Sequence, residues 1–89
     1  MSKSQEKRNK RILEHAEYLW EQAQLKAAMA QNQLGGATQI FKEMKHELTK
    51  DEEEATNQQI GLRHKEIQEY LEAEREKYLE RLAEIKEPS

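Results

Sequence analysis

The chain has 89 residues, of which 35% are hydrophobic and 37% charged, with a net charge of −3 and neither cysteine nor valine. Leu, Ile and Phe together number 15, below the roughly 20% of the chain that ordinary cores need, whereas Ala, Glu, Lys, Leu and Arg supply 50 residues, the composition of long helices and coiled coils. Those proportions exclude a large globular core and a disulfide framework, and no run of about 18 apolar residues is present to span a membrane.

The first residues, 1–11, form a basic arm carrying Lys3, Lys7, Arg8, Lys10 and Arg11. Two uses are open: a solvated terminus, or an arm that docks on an acidic surface. Nucleic acid is not the expected partner, because no aromatics interleave with the basic residues and residues 51–89 carry a net charge of −6. No apolar stretch of signal-peptide type follows, and Glu6, Glu14, Glu17 and Glu21 are too many acids for a transit peptide.

A first helix is expected over 12–34. Ile12, Ala16, Leu19, Ala23, Ala27, Ala30 and Leu34 recur at steps of three and four, which places them on one helical face. Most of that stripe is alanine, so it buries little area but admits a close neighbour, with Trp20 beside it as the single large anchor. Gly35-Gly36 is expected to end this helix, since glycine disfavours continuation and suits a C-cap.

A short helix over 37–48 should follow, with Ile40, Phe41, Met44 and Leu48 as one apolar patch. Thr49 and Glu52 then read as a capping box opening a long C-terminal helix over 50–86. Acids in its first turn suit the helix dipole. Its stripe is Ile60, His64, Ile67, Leu71, Glu74, Tyr78, Leu82 and Ile85, with Leu62, Tyr70 and Leu79 as an adjoining row and Pro88 closing it. Such a helix extends about 50 Å.

The expected fold is therefore all-α and extended, two long helices with a short one between, non-globular and ordered by partner surfaces. Burying a Leu or Ile gives roughly 1.5–3 kcal/mol, while ordering each residue's backbone costs about 1–2 kcal/mol. Fifteen large aliphatic or Phe residues barely offset that cost without a partner surface or self-association.

Chemistry has little to work with. Serine occurs only at 2, 4 and 89, and His15, His46 and His64 fall on different segments without ligand spacing. Gly35-Gly36 lacks the Lys-Ser/Thr of a phosphate loop, and the residues after Thr49 lack the glycine of a calcium loop. No catalytic residue, cofactor site or metal site is expected, and the chain is not read as an enzyme. Glu74 stands apart as an acid within the stripe. It either meets a donor that fixes register or partner, or rotates to solvent.

Arg63-x3-Ile67-x2-Tyr70-Leu71-x2-Glu74-x3-Tyr78-x3-Leu82 resembles the motif Arg-x3-Leu-x2-Leu-x3-Glu-x3-Tyr-x2-Glu-Leu of several small cilia- and flagella-associated proteins. Here Ile67 and Tyr70 stand where leucine is usual, and Arg81 where the second acid is. The family's upstream Leu-Trp pair is matched by Leu19-Trp20.

The resemblance implies a structural microtubule inner protein of axonemal doublets, localised to the cilium or flagellum. It would bind α- and β-tubulin from the lumen, together with neighbouring inner proteins. By that analogy Trp20, Arg63, Ile67, Leu71, Glu74, Tyr78 and Leu82 form the partner-binding face. Two alternatives stand beside it: a helical regulator docking on an enzyme, as small ATPase-inhibitor helices do, with His64 coupling binding to pH; and a self-associating coiled-coil adaptor. Membrane binding is not expected, because only the first dozen residues have the basic character of an interfacial helix.

Overall fold

A computed structural model of the chain describes residues 3–85. Helix α1 runs over Lys3–Met44, a single 3-10 turn occupies Lys45–Glu47, and helix α2 runs over Lys50–Ala83. No strand occurs among the described residues. The molecule is all-α and extended, as the composition implies: its Cα extents are 68 × 16 × 10 Å and its radius of gyration 20.4 Å, against about 12 Å for a compact chain of this length.

The two helices fold back on one another as an antiparallel hairpin. Lys45 pairs with Glu53 beside the turn, Leu34 lines one groove with Ile60 and His64, Lys26 lies over Tyr70, and Trp20 stacks on Tyr78. Positions rise along one helix as they fall along the other. Carrying that register on, Ala83 comes level with about residue 15, so α1 projects beyond the end of α2 by roughly 18 Å at 1.5 Å per residue.

The turn needs no glycine, and among the described residues none has a positive φ. Met44 is followed by the 3-10 turn, then Leu48 and Thr49 adopt extended backbone (φ −93°, ψ 147° and φ −69°, ψ 163°) before α2 begins. The capping box forms as expected. The Glu52 amide donates to Thr49 Oγ1 at 3.2 Å, and the Thr49 amide donates to Glu52 Oε1 at 3.0 Å. Two of the amides that a helix start leaves without intrahelical partners are satisfied in this way. At the other end, the Glu84 amide donates to the Arg81 carbonyl at 3.1 Å and the Ile85 amide to the Leu82 carbonyl at 3.0 Å, closing the last turn. Helix α2 thus stops at Ala83 rather than 86; Pro88, expected to close it, lies outside the described residues.

The break expected at Gly35-Gly36 does not occur. Instead of separate segments at 12–34 and 37–48, one 42-residue helix passes through both glycines and also takes in the arm from Lys3 to Arg11. Each glycine costs about 1 kcal/mol relative to alanine but leaves helical φ and ψ allowed. The inward row keeps its phase across the pair, through Leu34, Thr38 and Phe41, all half-buried. Thr38 Oγ1 also donates to the Leu34 carbonyl at 2.8 Å, bridging the glycines from the side. Packing on both flanks holds the helix through the weak point.

The core is small and asymmetric. Ala16 is 0% exposed, Ala23 3%, Ala27 5% and Ile67 4%; α1 supplies alanines and α2 supplies bulk. The alanine stripe lets α2 approach closely, and Ile60, Leu71, Tyr78 and Leu82 fill the seam half-buried. A buried methyl or methylene gives only about 0.8 kcal/mol, so this seam holds the hairpin by many small contributions along its length.

Candidate partner-binding face

The hairpin decides what becomes of the residues singled out by the resemblance. At 100° per residue Arg63, Ile67, Leu71, Glu74, Tyr78 and Leu82 share one side of α2, and that side is turned onto α1. Ile67 is buried, Leu71, Glu74, Tyr78 and Leu82 are half-buried, and Arg63 is exposed at the rim. From α1, Trp20 is half-buried and its ring lies 5.8 Å from that of Tyr78, centroid to centroid, with an interplanar angle of 15°. The separate Leu-Trp and motif anchors therefore meet in one place, 58 positions apart in the chain.

Glu74 meets a donor, but on its own helix. Lys77 Nζ donates to Glu74 Oε1 at 3.1 Å, with the Glu74 side chain 20% exposed. Arg63 Nη1 likewise donates to Glu66 at 3.2 Å. Both are short-range helical pairs; exposed pairs of this type contribute a few tenths of a kcal/mol. Glu52 has a displaced pKa. The Thr49 backbone amide, and then the Thr49 hydroxyl, hold its carboxyl below the ordinary value.

His64 does not sit in a closed seam. It is exposed, 3.1 Å from the side chain of Gln68 on the same helix. The adjoining row of Leu62, Tyr70 and Leu79 also separates. Tyr70 is half-buried beneath Lys26, whose Nζ is 5.3 Å from the ring centroid, a cation–π contact. Leu62 and Leu79 are exposed.

The patch expected from Ile40, Phe41, Met44 and Leu48 divides in the same way: Phe41 and Leu48 turn inward, Ile40 and Met44 outward. Two features were not anticipated from periodicity. Arg81 is folded into the groove with Leu19, Ala23 and Glu74, where its Nη1 is buried without a hydrogen-bond partner. Tyr18, Leu25 and Met29 form an exposed outward row on α1, visible in the sequence as a second set of steps once the alanine stripe is taken as the inner face.

Among the described residues no three His, Cys, Asp or Glu side chains are grouped to hold a metal. Likewise, no helix there is long and apolar enough to cross a membrane. No family model, curated protein or solved structure matches the chain.

Proposed function

We propose that the chain is a structural, non-enzymatic hairpin that binds other proteins along its length, as a microtubule inner protein of axonemal doublets in contact with tubulin and neighbouring inner proteins. The observation that supports this reading is the Trp20–Tyr78 stack. Two sequence features shared with the cilia- and flagella-associated family lie far apart in the chain, and the hairpin joins them into one cluster. In this reading Arg63 contacts a partner directly. Trp20, Leu71, Glu74, Tyr78 and Leu82 offer it the open edge of the seam, and Ile67 serves from within. A rod 16 × 10 Å in cross-section suits a protein laid along a wall, because nearly every side chain lies at a surface.

The regulator reading was motivated by a seam position for His64, and the side chain instead lies exposed beside Gln68. The test is to express the tagged protein in ciliated cells and fractionate their axonemes. Retention in salt-washed doublets is the expected result. A diffuse signal, or release with the soluble matrix, would remove the microtubule assignment and leave a helical binding protein of another location.

A further inference from the structure

The hairpin has a second apolar face that its own packing does not use. At 100° per residue Tyr18, Leu25, Met29, Gly36 and Ile40 fall within about 60° of arc on α1, with Met44 beside them. This row lies roughly 150° around the helix from Ala16, Ala23 and Ala27. Leu25 is 53% exposed, Met29 64% and Ile40 58%. Around the flank of α1 the row joins the helix–helix seam through a groove lined by Leu19, Gln22, Leu25, Lys26, Met29 and Tyr70, among others.

The chain exposes 7325 Å², where a compact monomer of 10.6 kDa exposes roughly 5,500 Å². The excess exceeds the roughly 800 Å² each partner contributes to a stable interface. Gly36 adds to this. Nothing lies within 4 Å of a Cβ built there, so nothing inside the hairpin requires a glycine that weakens the helix. On the outward row its missing side chain leaves room for another backbone.

Charge selects the occupant. Residues 3–11 carry five basic side chains against one acid, net +4, at the end where α1 projects beyond α2. Residues 43–54, around the turn at the opposite end, carry six acids against two lysines, net −4. The chain is thus complementary to itself when two copies lie side by side and antiparallel, and repels itself when they run in the same direction. We infer that the outward row of α1 pairs two copies of this hairpin about a two-fold axis near Met29, basic arm against acidic turn.

The spacing agrees. Arg11 lies 18 residues and Lys45 16 residues from Met29, about 27 Å and 24 Å along the helix, so each arm begins where the partner's turn lies. Tyr18 of each copy meets Ile40 and Met44 of its partner, and Leu25 meets Gly36. The self-complementary patch is of the kind a closed two-fold dimer requires.

Sedimentation equilibrium of the full chain tests this. The expected result is a monomer–dimer equilibrium that weakens as salt rises, since the end contacts are screened. The double variant Met29→Glu/Ile40→Glu alters only exposed positions and keeps good helix character; it should weaken dimerisation by at least about tenfold with the helical circular dichroism unchanged. Orientation is tested by charge reversal. Lys7→Glu/Arg11→Glu and Glu43→Lys/Glu47→Lys, whose positions lie along the outward row and at its turn end, should each be monomeric alone, and should form a one-to-one heterodimer when mixed. A chain that stays monomeric at hundreds of micromolar overturns the inference, as does a dimer indifferent to Met29→Glu/Ile40→Glu. Reversed variants that fail to recover on mixing overturn the antiparallel arrangement. None of these results depends on where the protein resides in a cell.

Discussion

Thr49 both ends the turn and starts α2, as the N-cap of a capping box with Glu52. Replacing it with alanine removes the hydroxyl that receives the Glu52 amide. The expected loss is about 1 kcal/mol, or a fall in Tm of roughly 4–8 °C for a domain of this size, measured by thermal circular dichroism. Glu52 makes the same cap sensitive to acid. Its folded pKa is lowered by its bonds to Thr49, so its contribution is fully present above the ordinary glutamate value and is lost as pH falls through the depressed folded one. The Tm advantage of the wild type over Glu52→Gln should therefore shrink on acidification through that range and persist at neutral pH. An advantage independent of pH would show that the carboxylate charge is not used. At the far end of the rod, a double-mutant cycle on Trp20→Ala and Tyr78→Ala should return a coupling of about 0.5–1.5 kcal/mol. Additive effects would mean that the stacked rings gain nothing from one another. The cap was legible in the sequence because it depends on four consecutive residues. The Trp20–Tyr78 contact was not, since no local pattern relates positions separated by a reversal of the chain.

For the helices, the lesson lies in Gly35-Gly36. Periodicity and local punctuation disagreed there, and periodicity prevailed: the inward row continued in phase, and the packing of α1 on α2 exceeded the local cost of two glycines. At Gly35 and Gly61, beyond the glycine, its chain neighbours and the adjacent helix backbone, nothing lies within 4 Å of where a Cβ would stand. Gly35→Ala and Gly61→Ala should therefore each stabilise the hairpin by roughly 1 kcal/mol, read as a rise in Tm. A destabilised Gly35→Ala would show that the break in helix propensity is used in a bent or opened state. The alanine stripe of α1 and the bulky stripe of α2 were both legible as faces. What a stripe faces was not. An alanine stripe receives a neighbouring helix and a foreign groove equally well, and only the fold identifies α2 as the neighbour. The same ambiguity touches the motif residues, whose spacing locates them on one side of α2 without saying that α1 covers it.

At the scale of the whole molecule, composition alone indicated an all-helical, non-globular chain. With so few large apolar side chains, no arrangement of 89 residues could surround a deep core, and two long helices in contact are the simplest way to bury a narrow stripe. Small-angle scattering of the monomer should give a radius of gyration near 20.4 Å, well apart from the roughly 12 Å of a compact domain and the roughly 30 Å of an unfolded chain. A value near either limit would remove the hairpin as the solution structure. That the chain reverses at Leu48 rather than running straight on was the part composition could not supply. Two extended residues between helices are compatible with either course, and the energy of the long seam selects the reversal.

The antiparallel register also governs how the rod answers to force. Both ends of the described chain lie at the same end of the hairpin, and contacts are ordered from Trp20–Tyr78 inward to Lys45–Glu53. Tension applied across those two ends loads one layer of the seam at a time, as in peeling a strip, and each alanine layer yields little work before the next is exposed. Tension between the turn and the basic arm runs instead along the axis of α1, through its ladder of backbone hydrogen bonds. The same small protein is thus compliant when pulled from one end and stiff when pulled along its length.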